Sequence, residues 1–294
     1  MKKKNLKTLA ACLCLSYTLL AGTLPTQAAA RTSVSQTAKS SFTVTNKKTH
    51  SGKGQASSSS SGTWKTIKGC HYYYNARGKK IKGKVKIGSR YYFFDKNGIQ
   101  RYGWKKIKNN YYFFRISTGT TGAYMLTSTT INGIALDASG RASKSGSNLR
   151  KLKLMTEANK IVEKISRPGM NKMQRLRASF DYVKKQYTYY CWREFRNTQD
   201  WEKDFAEDMF FRGGRGDCVS YAAAFAYLAN AVGMKKVYVI CSGGHGWAEI
   251  GGKVYDPDWA LVSSVDSYFA MSYDLSGVNG RPMYRGNRLY VKKV

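Results

Sequence analysis

Three aromatic runs recur along the chain at one spacing. YYYNARG (72–78), YYFFDKNG (91–98) and YYFFR (111–115) set Tyr74, Phe94 and Phe114 twenty residues apart, and Gly78 and Gly98 repeat the interval. Each unit joins a short aliphatic or Trp-bearing run to an aromatic run through a Gly or Asn turn, which is the pattern of a β-hairpin. A lone hairpin cannot bury its aromatic face, so successive copies must cover one another; the pattern predicts a short β-hairpin solenoid over 63–142. A weaker copy, INGIALDASG (131–140), carries aliphatics in place of rings and suits a closing cap.

Past a polar linker at 143–150 the periodicity changes from two to 3.6. Leu152, Met155, Ala158, Val162 and Ile165 fall on one helical stripe that Pro168-Gly169 ends. Asn171 and Gln174 resemble a capping box opening a second helix, with Leu176, Phe180 and Val183 inward. VSYAAAFAYLANAV (219–232) is apolar almost throughout and stops at Gly233, so it predicts a buried helix, too short to cross a bilayer. KVYVIC (236–241), GWAEI (246–250) and KVYDPDW (253–259) read as neighbouring antiparallel strands. The expectation is a multidomain chain with an α+β domain over 151–294.

Ahead of the repeats, four lysines in MKKKNLK, an apolar run over 9–21 and Ala28-Ala29-Ala30 predict a signal peptide over 1–30 and a secreted protein with no membrane span after cleavage. Residues 31–62, rich in Ser, Thr, Lys and Gly, predict a flexible tether. The formal charge is +33, and it is uneven: residues 31–150 hold 23 basic and 2 acidic groups, residues 151–294 hold 23 and 15. A basic, exported module suits the anionic polymers of a cell wall, teichoic acid or glycan, held by charge and released by salt. Nucleic acid is the competing polyanion, and export argues against it as a partner.

Cys218 carries the chemistry. It opens the buried helix behind Gly213, Gly214 and Gly216, where outward-pointing N–H groups and the helix dipole favour a thiolate. A thiol nucleophile needs a base and a group to orient it, and beyond the first repeat the chain has a single imidazole, His245. Asp256 is the expected orienting carboxylate, with Asp258 its main rival. The backbone N–H of Cys218 is the first oxyanion donor. Cys191, Cys218, Cys241 and His245 show no ligand-like spacing, so no metal site and no cofactor are assigned.

Two family resemblances attach to these residues. The repeats resemble the choline-binding and cell-wall-binding repeats of Gram-positive surface proteins, which implies wall attachment through rings such as Trp64, Tyr73, Tyr92, Trp104 and Tyr112. Packing of the hairpins against one another is the competing reading of these rings, and for any one ring it stands ahead of ligand stacking. GDCVSYAAAFAYLANAVG, GHGWAEI and VYDPDW look like the three blocks of the transglutaminase-like superfamily in the order Cys, His, Asp. That resemblance implies a papain-like thiol fold with Cys218 as nucleophile, His245 as general acid/base and Asp256 as orienting carboxylate. Gly246 and Asp258 depart from the pattern, which often has Ala and Thr there. The implied function is a secreted, wall-associated thiol enzyme acting on a peptide or protein substrate through an acyl-thioester, as a protease, amidase or amine-accepting cross-linker. The alternative is a catalytically inactive wall-binding adhesin.

Overall fold

A computed structural model describes residues 62–117, 119–263 and 268–294. The expected leader and all of the tether but Gly62 lie outside these residues.

Hairpins occupy the first part. β1 (Thr63–Ile67) pairs with β2 (Cys70–Tyr74), β3 (Gly83–Ile87) with β4 (Arg90–Phe94), β6 (Gly103–Ile107) with β7 (Asn110–Phe114), and β8 (Thr129–Ile131) with β9 (Ile134–Leu136). A two-residue strand, β5 (Gln100–Arg101), adds to the edge of β4. The two-residue turns Lys68-Gly69 and Asn132-Gly133 hold both residues at positive φ, the type I′ geometry whose twist matches the paired strands. Rings meet within and between hairpins: Trp64 lies edge-on to Tyr73 of its own hairpin and to Tyr92 of the next, at centroid separations of 5.2 and 5.1 Å, and Phe93 meets Phe114 at 5.7 Å. Backbone bonds also cross between units, as from Met125 N–H to the Tyr91 carbonyl at 2.7 Å.

The helical part is built round one helix. α1 (Asn148–Ile165), α2 (Lys172–Gln186) and α3 (Trp201–Phe210) precede α4 (Cys218–Val232), in which all but Asn230 are buried. Ala at six of its positions keeps the cylinder thin, so α1, α2 and α3 and a sheet all approach it closely. The sheet runs in the order β14 (Lys253–Tyr255), β13 (Gly246–Ile250), β12 (Val237–Cys241), β15 (Tyr290–Lys293), antiparallel throughout. α2 starts with the expected capping box: Gln174 N–H donates to Asn171 Oδ1 at 2.9 Å, and Asn171 N–H to Gln174 Oε1 at 2.8 Å. α4 ends at Gly233 with φ 93°, left-handed backbone that glycine adopts without strain. α3 has no counterpart in the helical pattern above; its Trp201, Phe205, Ala206 and Met209 face the core while Arg150 bonds Asp204 and Glu207 along its rim.

The third hairpin belongs to this same core. Trp104 is 1% exposed among α1 residues, its Nε1–H donating to Asn132 Oδ1 at 3.3 Å. Lys105 Nζ donates to Glu163 of α1 at 2.5 Å. Gly103, at φ 73°, leaves no room for a side chain, since a Cβ there would fall 1.7 Å from Asn159 Oδ1. Among the described residues no helix is long and apolar enough to cross a membrane.

Candidate active site

Cys218 is the first residue of α4, and Asp217 caps the helix by accepting from the Ser220 N–H at 3.0 Å and from its hydroxyl at 3.3 Å. The turn into the helix is tight: a Cβ on Gly216 would lie 2.4 Å from the Ser220 side chain. Gly216 also pairs with Tyr189 in a short parallel ladder between β10 (Thr188–Tyr189) and β11 (Arg215–Gly216). That ladder brings the exposed rings of Tyr189, Tyr190 and Trp192 onto the segment leading past the Cys218 end of α4.

His245 sits in the β12–β13 connection. Its N–H donates to Ser242 Oγ at 3.0 Å and its carbonyl accepts from Ser242 N–H at 2.8 Å, closing a turn at Gly243. Gly246 then lies directly against α4; a Cβ would fall 2.7 Å from Val219 Cα, which is why the position is glycine here.

His245 Nε2 is 2.6 Å from Asp256 Oδ2, and Asp256 is wholly buried. The same oxygen accepts from the Tyr284 hydroxyl at 2.7 Å, while Oδ1 accepts from the Trp259 N–H at 3.0 Å. Three donors therefore hold one carboxylate. Trp247, Trp259 and Tyr284 wall the imidazole at centroid separations of 6.1–6.3 Å. Across the ring, Cys218 Sγ, a His245 ring nitrogen and an Asp258 carboxylate oxygen all lie within 4.8 Å of one another. Asp258 precedes the short helix α5 (Trp259–Val262) but gives it no side-chain cap bond.

Electrostatics follow from burial and these carboxylates. Burial pushes the Cys218 thiol well above its ordinary value, Asp217, Asp258 and Asp256 push it further, and the Gly246 N–H pulls back. This direction is opposite to the one the helix N-terminus alone would give. Burial alone would lower the His245 pKa, but the charge and hydrogen bond of Asp256 raise it overall. Asp258 is pushed up to about 7 by burial and by the Asp256 charge, partly offset by His245.

The ring positions proposed for wall binding are mostly interior. Tyr73, Tyr92, Trp104 and Tyr112 are 1–6% exposed, and Trp64 is half-buried against its neighbours. Sequence reasoning missed Tyr284, whose contact with Asp256 crosses 28 residues of chain with no motif to flag it.

Among solved structures, CbpF in complex with ipratropium is 20% identical, with a TM-score of 0.24, covering 27% of this chain and 24% of that one. The choline-binding domain of Spr1274 in Streptococcus pneumoniae is 25% identical, with a TM-score of 0.24, over 27% of this chain and 92% of that one. A multimodular pneumococcal cell wall endolysin from phage Cp-1, complexed with choline, is 21% identical, with a TM-score of 0.25, over 31% of this chain and 27% of that one. The chain thus spans about a quarter of the length of the first of these. No curated protein matches the chain. Residues 159–262 match the transglutaminase-like superfamily, and residues 60–98 match the choline-binding repeat.

Proposed function

We propose that this chain is an exported, wall-associated thiol enzyme that forms an acyl-thioester on Cys218. The observation that carries the reading is the 2.6 Å bond from His245 Nε2 to buried Asp256, with Cys218 Sγ within 4.8 Å of the imidazole. Asp256 engages Nε2 and so leaves Nδ1 as the nitrogen for the thiol proton. As sulfur attacks a carboxamide or peptide carbonyl, the S–H proton passes to Nδ1 and an S–C bond forms. The Cys218 N–H faces the developing oxyanion. Collapse breaks the C–N bond, and the imidazolium returns its proton to the departing amine. Water or a primary amine then attacks the thioester, loses a proton to His245 and releases the thiol.

The repeats hold the enzyme at the wall, and their ligand is anionic. Several ring faces already carry the chain's own cations: Lys80 Nζ lies 4.1 Å from the centroid of half-buried Tyr72, the Arg90 guanidinium 4.1 Å from that of half-buried Tyr124, and Lys84 Nζ 4.2 Å from that of buried Tyr112. Such faces have little to offer a further cation. Binding to purified walls is therefore expected to fall steeply with salt and to survive free choline.

Incubation with a fluorescent primary amine and a Gln-rich protein tests the reaction, following both amine incorporation and peptide release. Incorporation marks a transferase and release a hydrolase. Stoichiometric alkylation of Cys218 by iodoacetamide at neutral pH, abolished in Cys218→Ala, argues against the adhesin reading; neither product, in wild type and Cys218→Ala alike, returns the chain to it.

A further inference from the structure

Spacing along the chain offers no metal clip, yet folding gathers three donors of different chemistry at one point. We propose that Cys218 Sγ, His245 Nδ1 and an Asp258 carboxylate oxygen form a site for a zinc-class divalent cation, which silences the thiol while bound. The silencing rests on the thiol-enzyme reading above; the binding does not.

The donor set decides the class of ion. One thiolate, one imidazole and one carboxylate suit a borderline-soft cation, whereas magnesium and calcium take oxygen ligands. Three protein ligands leave a fourth position for water. Zinc bonds of about 2.0–2.3 Å separate tetrahedral donors by roughly 3.3–3.7 Å. The three donors already lie within 4.8 Å of one another.

The surroundings are already those of a metal-binding imidazole. Asp256 takes Nε2 at 2.6 Å and is itself fixed by Tyr284 and the Trp259 N–H, which sets the ring's tautomer and its orientation. Asp258 supplies the independent observation. Among the described residues its carboxylate has no hydrogen-bond or ion-pair partner, it leaves the adjacent helix uncapped, and it lies against the Cys218–His245 pair. An unpaired carboxylate beside a buried thiol and a second carboxylate has a clear use for a cation. It is also the position at which the third block departs from the resembled pattern. Binding breaks the Cys218 S–H bond, sends that proton to solvent and forms metal–sulfur, metal–nitrogen and metal–oxygen bonds, with no change of oxidation state.

The test uses the full chain, reduced and stripped with chelator, titrated with Co2+ and then displaced by Zn2+. One equivalent is expected to bind with a thiolate-to-cobalt charge-transfer band that is absent in Cys218→Ala and retained in Cys191→Ser, which removes an exposed thiol. Asp258→Asn should weaken binding by about tenfold or more, with Asp258→Thr as a second variant and thermal unfolding as the check on both folds. Bound Zn2+ should block alkylation of Cys218. Absence of the thiolate band, or an affinity unchanged by both Cys218→Ala and Asp258→Asn, overturns the site. Rapid alkylation of the stripped protein without a cobalt band removes the metal site but not the thiol reading. A cobalt band in the loaded protein, with no turnover by the stripped protein, supports the site and removes the reaction.

Discussion

Tyr284 and His245 meet on one atom: both bond Asp256 Oδ2, at 2.7 and 2.6 Å. The chain after the matched segment thus reaches back to the carboxylate that steadies the imidazole. Tyr284→Phe removes a hydrogen bond to a charged group, typically worth about 1.5–3 kcal/mol. It should slow Cys218 alkylation about tenfold. With one donor fewer, Asp256 draws the imidazole proton more strongly, so the acidic limb of the pH–alkylation profile should move to higher pH. A profile that keeps its position would leave Tyr284 a packing residue.

Asp258 makes stability depend on pH in a fixed sense. Its ordinary value is 3.8 and its value in the fold is about 7, so between these limits the folded state keeps a proton the unfolded chain has lost. That group's contribution to stability falls as pH rises from about 4 to about 7 and is level above. In chelator, Asp258→Asn removes the loss and should raise the melting temperature at pH 8 by roughly 4 °C, the return of about 1–2 kcal/mol, with little change at pH 4.

Gly246→Ala tests the contact between β13 and α4. The new Cβ would lie 2.7 Å from Val219 Cα, a backbone atom that cannot turn aside. A loss of about 1–3 kcal/mol in denaturant unfolding is expected, together with slower Cys218 alkylation, because Val219 follows the thiol directly.

Lys105 and Glu163 join the third hairpin to α1 at 2.5 Å, with the lysine side chain 8% exposed. Glu163→Gln leaves that ammonium buried without its counter-charge, and should cost about 3 kcal/mol. Calorimetry of the wild type should give one transition for the third hairpin and the helices, since they share one hydrophobic cluster.

The helical part was legible wherever the residues alone set the local structure. The Asn171–Gln174 capping box, the stripe of Leu176, Phe180 and Val183, and the Ala-rich run ended by Gly233 are all local signals, and each appears at its place. Cys218, His245 and Asp256 stand in three ordered blocks, so their proximity could be expected from order and type. Asp258 was visible only as a rival to Asp256, because whether it faces the ring or the solvent depends on how the chain turns into α5. Tyr284 was out of reach, since a tertiary wrap carries no periodicity. The rings of the hairpins had two readings from sequence, packing or ligand, and burial of Tyr73, Tyr92, Trp104 and Tyr112 follows from neighbours that no single repeat contains.

The seam at Gly103, Trp104 and Asn159 has a mechanical consequence. With an indole buried between the third hairpin and α1, that hairpin and the domain that carries Cys218 share one core. On the function proposed above, the bearing of Cys218 toward a polymer held by the third hairpin is set by that shared core.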